Sequence, residues 1–393
     1  MTNPVLARIA GEVEAARQDG TLKLLKTMET PIGAEVDLKE AGHVILMSSN
    51  DYLGLSNHPE IVESAKQALL KYGASTASVR FICGTQTIHQ ELEEALADLH
   101  GTEAALTYSS CWAANTGLMP IIAGPGDVLI SDELNHASII DGCRASAKNV
   151  VRTVYKHSDM ASLKAKLEEH RDAPGRIIVT DGVFSMEGDI APLPEIVALA
   201  EEFDALIVLD DSHGLGVLGP NGLGTADHFG VLDKIDIFTG TLGKALGAGT
   251  GGFVAGPKAV RELLIHKSRP HLFSNALPAS VAGAAIKSVE LLKTHPEWAR
   301  DTIEKAQYFR ELLQRHGLKA LDGDSAVVPV IIGETAAAIA LSSKLLKDGI
   351  FVTGFGFPVV PEGEARLRFQ ISHAHSREQL EKVAQAVANA IGG

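Results

Sequence analysis

Between residues 104 and 240 the chain returns repeatedly to a short apolar run that ends in polar residues: AALTYSS, DVLISD, RIIVTDG, ALIVLDDS and IDIFTG. Apolar runs of this length without polar alternation fit strands buried on both faces. Amphipathic segments such as PLPEIVALAEEF lie between them. Parallel neighbours need a crossover, usually a helix, so strand and helix in alternation predict an α/β fold with a largely parallel sheet. Sheets of that kind bind ligands off the carboxyl ends of their strands, which makes the polar tails the place to look for chemistry.

The flanking segments predict further helices. HPEIVESAKQALLKYG has Pro59 in its first turn and stops at Gly73; TIHQELEEALADLHG reads as capped by Thr87 and ended by Gly101. Val5, Ile9, Val13 and Ala16 form one stripe of an opening helix, so residues 1–45 read as a helical arm. A large domain over 46–289 follows. After about residue 290 the texture changes to a helix through TIEKAQYFRELLQRHG, then VVPVIIG, AAAIALSSKLLKDG and ARLRFQIS, then a last helix. Residues 290–393 therefore read as a smaller α+β domain, and 393 residues exceed one ordinary core.

The chain is 45% hydrophobic and 21% charged, as expected of a soluble enzyme, and its formal charge of -14 argues against nucleic acid or an anionic membrane as partner. Local clusters such as Lys267 and Arg269 still allow an anionic small substrate. Cys83, Cys111 and Cys143 form no C-x-x-C pair, so neither a disulfide framework nor a metal site is expected. No signal-like segment and no run of 18 apolar residues occurs, which predicts a cytoplasmic protein.

One lysine sits among small residues in TGTLGKALGAGTGG, Thr239 to Gly252. A Walker phosphate loop is excluded, because Phe238 and Ala245 occupy positions that need Gly and Ser or Thr. Gly247, Gly249 and Gly252 match a dinucleotide fingerprint, but strand-like GGFVAG follows where a helix belongs. Two readings stay open for Lys244: a surface lysine in a loop, or an amine cleared for a flat carbonyl cofactor such as pyridoxal phosphate.

The strand tails bear on that choice. ALIVLDDSHG presents Asp210 and His213, a carboxylate for a pyridine nitrogen and an imidazole for a ring oxygen; a metal site or an N-cap cluster is the alternative. YSSCWAANTG follows a strand and opens a helix, so Ser109, Ser110 and the first amides make a cradle for phosphate. Trp112 suits either a ring cover or the core, and His136 in SDELNHASIIDG either stacks on a flat ring or is structural. Each role around one cofactor finds a different strand end.

With SNDYLGL, SVRFICGTQ, YSSC, SDELNHASIIDG, DGVFSMEGD, DDSHG, TGTLGKALG, SRPHLFSN and ARLRFQIS in order, nearly the whole chain resembles the α-oxoamine synthase family of fold-type I pyridoxal phosphate enzymes. SVRFICGTQ, YSSC and SRPHLFSN are most similar to members that condense glycine with acetyl-CoA to 2-amino-3-oxobutyrate in threonine catabolism. SNDYLGL is closer to members that make 8-amino-7-oxononanoate from alanine and pimeloyl-CoA. Trp112 replaces the usual Phe or Tyr, and SHAH at 372–375 replaces SAAH. The resemblance implies that Lys244 holds the cofactor and moves the substrate's Cα proton, that Asp210 pairs with the ring nitrogen, that His213 reaches the ring oxygen and that His136 stacks on the ring. It implies Ser110, Cys111, Trp112, Thr241 and a partner subunit's counterpart of Ser274 around the phosphate, and Ser185 near the ring oxygen and substrate carboxylate. Asn50 and Arg368 are implied to bind that carboxylate, and a homodimer with shared sites is implied. No metal is expected.

Overall fold

The computed structural model describes residues 3–392, and its chain contacts divide into two compact units. In chain order the strands are β1 (Glu35–Leu38), β2 (Gly42–Leu46), β3 (Ala104–Tyr108), β4 (Val128–Asp132), β5 (Val151–Tyr155), β6 (Arg176–Asp181), β7 (Leu206–Asp210), β8 (Ile237–Thr241), β9 (Gly252–Gly256), β10 (Val327–Gly333), β11 (Ile350–Phe351), β12 (Thr353–Phe355) and β13 (Ala365–Gln370).

The larger unit, Asp51–Ser185 with Asp189–Ile303, is built on a seven-stranded sheet of order β3-β9-β8-β7-β6-β4-β5. Strands β4 to β8 are mutually parallel, and β9 runs antiparallel to both β8 and β3. Two reversals restore the direction, so β3 points the same way as β8. The carboxyl ends of β3, β4, β6, β7 and β8 therefore share one sheet edge. Val179, Val208 and Ile237 pack with Leu118, Met119 and Ile139 from the helices Cys111–Ile122 and Ala137–Arg144 in one buried cluster. Burial on both faces explains why those strands read as unbroken apolar runs.

Local signals mostly sit where the sequence puts them. Pro59–Tyr72 is a helix closed by Gly73, and Thr87–His100 is closed by left-handed Gly101. Thr87 is not the cap, however. It is the first helical residue, Gln86 occupies the cap position, and the Gln86 amide donates to His89 Nδ1 at 3.0 Å.

The smaller unit comprises residues up to Asn50, Met186–Gly188 and the chain from Glu304. The opening helix forms over Pro4–Gln18, but Glu35–Leu38 and Gly42–Leu46 form β1 and β2 instead of continuing a helical arm, and the division between the units falls at 303/304 instead of 289/290. β2 pairs in parallel with β11, which ties residues 45 and 46 to 350 and 351, while Ile45 and Met47 enter a core with Phe309, Phe369 and Leu380. The helix Ala279–Thr294 instead packs on Pro59–Tyr72 in the larger unit, where Ser64 Oγ donates to the Gly283 carbonyl at 2.8 Å. The smaller unit's second sheet, β10-β13-β12, is antiparallel. Among the described residues no helix is long and apolar enough to cross a membrane.

Candidate active site

Asp210 ends β7 and is followed by a turn that gives its carboxylate local donors. Oδ1 accepts from the Ser212 amide at 3.0 Å and Oδ2 from Asn115 Nδ2 at 2.6 Å, with Cys111 Sγ at 3.5 Å. All these partners are neutral, so among the described residues no cation is bound to this buried carboxylate. Its neighbour Asp211 is spent differently. It accepts from the Thr225 amide and hydroxyl, each at 2.6 Å. A Cβ on Gly182, Gly214 or Gly224 would strike Asp211, so backbone closes around it. Burial pushes the Asp211 carboxyl up to about 7.

Lys244 lies in the turn between β8 and β9. Its Nζ sits 2.9 Å from His213 Nε2, and His213 Nδ1 is 2.8 Å from the Tyr52 hydroxyl. Amine, imidazole and phenol thus form one hydrogen-bonded row. Of the two readings left open for Lys244, the surface-loop reading does not describe this half-enclosed amine. Across the same edge, the helix Cys111–Ile122 is capped by Ser110, whose Oγ accepts from the Ala113 amide at 3.1 Å. The amides at Cys111 and Trp112 belong to the first turn, which has no intrahelical carbonyl to bind. Thr241 Oγ1 donates to the Gly251 carbonyl at 3.2 Å and accepts from the Gly243 amide.

His136 follows β4 and caps the helix Ala137–Arg144. Its Nδ1 is 2.7 Å from Ser138 Oγ, and its amide donates to Asp181 Oδ2 at 2.6 Å. Burial lowers its pKa against the opposing pull of Asp210, which favours the neutral ring. Trp112 meets that ring edge to face with centroids 6.0 Å apart. At 46% exposure Trp112 is not a core residue.

Three neighbours escaped the sequence analysis. Asn115 Nδ2 joins Asp210 to Ser138 Oγ at 3.0 Å, which links the carboxylate to His136 through three hydrogen bonds. Its signal was the spacing of four from Cys111 on one helix face. Tyr52 stood inside SNDYLGL. Asp181 lies beside Asp210 in the sheet register, where burial and the Asp210 charge raise its carboxyl well above the usual range.

Ser185 is half-buried just past β6, and half-buried Ser274 lines a narrow cavity with Ser109, Arg80 and His271. Asn50 and Arg368 belong to the smaller unit. There, Arg366 is held by Glu187 and Glu364, each at 3.1 Å, while the Arg368 guanidinium lies over the Phe355 ring at 4.9 Å.

The residues of the larger unit fit a flat, anionic aldehyde cofactor. A Cβ on Gly252 would lie 2.3 Å from the Cys111 nitrogen, so only glycine lets β9 pass the helix start. Asn115 Oδ1 and Thr239 Oγ1 are buried polar atoms without partners among the described residues. An amine, an uncompensated carboxylate and open helix amides are the donor set that such a molecule needs.

Residues 42–387 match the family model described as aminotransferase class I and II. The chain is 44% identical to 2-amino-3-ketobutyrate coenzyme A ligase of Salmonella typhimurium, over 96% of this chain and 95% of that one. It is 45% identical to 8-amino-7-oxononanoate synthase of Thermoanaerobacter pseudethanolicus, again over 96% and 95%. A solved structure of SPT with PLP internal aldimine superposes with a TM-score of 0.93 at 31% identity, covering 99% of this chain and 98% of that chain. Strand-end chemistry, full-length similarity and a shared fold agree: the chain belongs to the aminotransferase class I and II family, in its α-oxoamine synthase branch, with the fold of type I pyridoxal phosphate enzymes.

Proposed function

We propose that the protein is a pyridoxal phosphate-dependent C-acyltransferase that joins glycine to acetyl-CoA, giving 2-amino-3-oxobutyrate and coenzyme A. The observation that carries this reading is the gathering of the Lys244 amine, the Asp210 carboxylate and the Cys111 helix start at one sheet edge. The cofactor, when bound, takes up the electron pair left as an amino acid's Cα–H bond breaks.

The chain's own groups do the rest. Lys244 Nζ, held by His213, removes the glycine Cα proton. Asp210 supplies fixed negative charge at the ring nitrogen, and its two donors keep it aimed there. His136, a neutral imidazole with Trp112 at its edge, would stack on the cofactor ring. The Cys111 and Trp112 amides, with Ser110 and Thr241, hold phosphate. Ser185 would serve the ring oxygen. Arg368 and Asn50 bind the substrate carboxylate, for which a planar guanidinium offers two parallel donors. The glycine Cα forms a bond to the acetyl carbonyl carbon as the C–S bond breaks, and the thiolate leaves.

The working unit in this reading is a homodimer, located in the cytoplasm, in which Ser274 completes the neighbouring site. Exposed Phe81, Ile82 and Phe273 support it, because the Val79–Asn275 bridge brings these two segments side by side. A second reading, alanine with pimeloyl-CoA, draws on the 45% identity to the oxononanoate synthase. Steady-state rates with glycine and alanine against acyl-CoA thioesters of increasing length test the choice. The highest kcat/KM is expected for glycine with acetyl-CoA. A preference for alanine with a long acyl chain ending in carboxylate transfers the assignment to the second reading.

A further inference from the structure

His157 bridges two carboxylates, Asp132 at the end of β4 and Asp189 in the loop that follows β6. Its Nδ1 is 3.0 Å from Asp132 Oδ1 and its Nε2 is 2.8 Å from Asp189 Oδ2. The histidine is largely buried, and the contact is reinforced on both sides. On one side Asp132 also accepts from the Ser158 amide at 3.0 Å and the Leu134 amide at 2.9 Å. That carboxylate therefore fixes the turn leading to His136. On the other side the Phe184 ring stands edge-on to the imidazole at 4.4 Å. The Phe184 amide donates to the Asp189 carbonyl at 3.1 Å, and Val183 bridges Ile190, so the turn carrying Ser185 closes against His157.

We propose that His157 is a positioning residue, a cationic clamp that sets the turn bearing Ser185 against the turn bearing His136. It rests on the roles given above to Ser185 and His136. Burial opposes a charge on the ring, but the hydrogen bonds to Asp132 and Asp189 outweigh it and push its pKa up to about 10. Both ring nitrogens then carry protons and both carboxylates accept, so the clamp is closed throughout the neutral range. A neutral ring has one donor and holds only one turn. A mere packing residue needs no such pair. Nothing in the reaction touches His157, so its effect on catalysis has to pass through the two turns.

Two measurements on the cofactor-loaded enzyme test this. In His157→Gln, amide hydrogen exchange is expected to quicken in both segments 131–136 and 183–190, while distant strands such as β8 keep their protection. Wild-type exchange in either segment overturns the clamp. Kinetically, His157→Gln is expected to lower kcat/KM for the amino acid about tenfold in the wild-type background and clearly less in Ser185→Ala, because the share of the loss that passes through the Ser185 hydroxyl is already spent there while the share through His136 remains. Equal losses in both backgrounds overturn the positioning role. If Ser185→Ala alone is fully active, the role given to Ser185 fails instead, and the exchange result still decides whether the clamp exists.

Discussion

The Lys244 amine and the Tyr52 hydroxyl are joined through the two ring nitrogens of His213, at 2.9 and 2.8 Å. A neutral imidazole has one donor and one acceptor nitrogen, so the proton state at one end sets the tautomer at the other. This row gives Lys244 a partner both as an ammonium and as an amine, which suits the proton transfers proposed for it.

Lys244→Ala is accordingly expected to retain cofactor, through Asp210 and the phosphate cradle, and to lose activity by several powers of ten. Borohydride treatment of the wild type should fix the cofactor on this residue. Tyr52→Phe removes only the outer partner and should cost about tenfold in kcat. Normal turnover by the alanine variant refutes the assignment.

In the proposed reaction the two adjacent aspartates separate a catalytic charge, Asp210, from a structural one, Asp211. Asp210→Asn should lower kcat by about 10²-fold or more, with little change in melting temperature, because it removes charge where it is used. Asn115→Ala should give a smaller loss of the same kind, since Asp210 keeps one donor. Asp211→Asn should mainly lower stability, because it disturbs a carboxylate enclosed by three glycines and bonded to Thr225. Calorimetry beside steady-state rates separates these outcomes; the reverse pattern means that Asp211 is the ring partner.

Much of this site was legible in the strand tails. A buried parallel strand must end where its polar residues begin, so Asp210, Thr241, Cys111 and His136 declare themselves by following apolar runs. Asn115 does not, because its contact depends on how one helix face is turned over β7. The antiparallel course of β9 was likewise hidden, since GGFVAG reads as a strand in either direction. The grouping of β2 with β11 joins residues about 300 apart and leaves no local trace.

Histidines give stability a dependence on pH from both sides. His375 donates from Nε2 to the Leu46 carbonyl and accepts from the Ser372 amide at Nδ1, each at 3.0 Å, so it is held neutral. Burial lowers its pKa to about 4, and does the same for His271. A pKa lowered on folding contributes stability that is full above the unfolded value of about 6.5 and lost as pH falls through 4. His157 is the opposite case. Its stabilisation is full below about 6.5 and lost as pH rises through 10. The stabilisation from His375 and His271 should therefore fall from pH 6.5 towards 4, against the opposite trend of the raised Asp211 and Asp181 carboxyls, and that from His157 should fall from 7 towards 10. His157→Gln should flatten only the alkaline limb of melting temperature against pH; an unchanged alkaline limb contradicts the shift.

Sharing of sites between subunits has a direct test. A Lys244→Ala chain and a chain impaired at Ser274 should each be inactive as homodimers. Mixed one to one and allowed to exchange, they should recover about a quarter of the wild-type rate, because half the dimers are hybrids with one intact site of two. No recovery, with exchange verified by mass, places Ser274 in its own subunit's site. A fully active monomer by light scattering removes sharing altogether.

Two glycines of the lysine loop offer a steric contrast. Gly252 has ordinary negative-side backbone, but its Cβ would meet the Cys111 nitrogen at 2.3 Å and Cα at 2.4 Å. Those atoms are backbone at the start of a packed helix, so no side chain can swing away. Gly249 is the reverse: nothing lies within 4 Å of its Cβ, and its φ of 87° is the obstacle. Gly252→Ala should push the helix start away from β9 and open the phosphate cradle, weakening cofactor retention on dialysis about tenfold or more, in keeping with overpacking costs of about 1–3 kcal/mol. Gly249→Ala should lower the melting temperature through backbone strain of about 1–2 kcal/mol and leave cofactor affinity nearly unchanged. Equal cofactor loss in both variants means that the loop's backbone shape, and not the close approach at Cys111, builds the cradle.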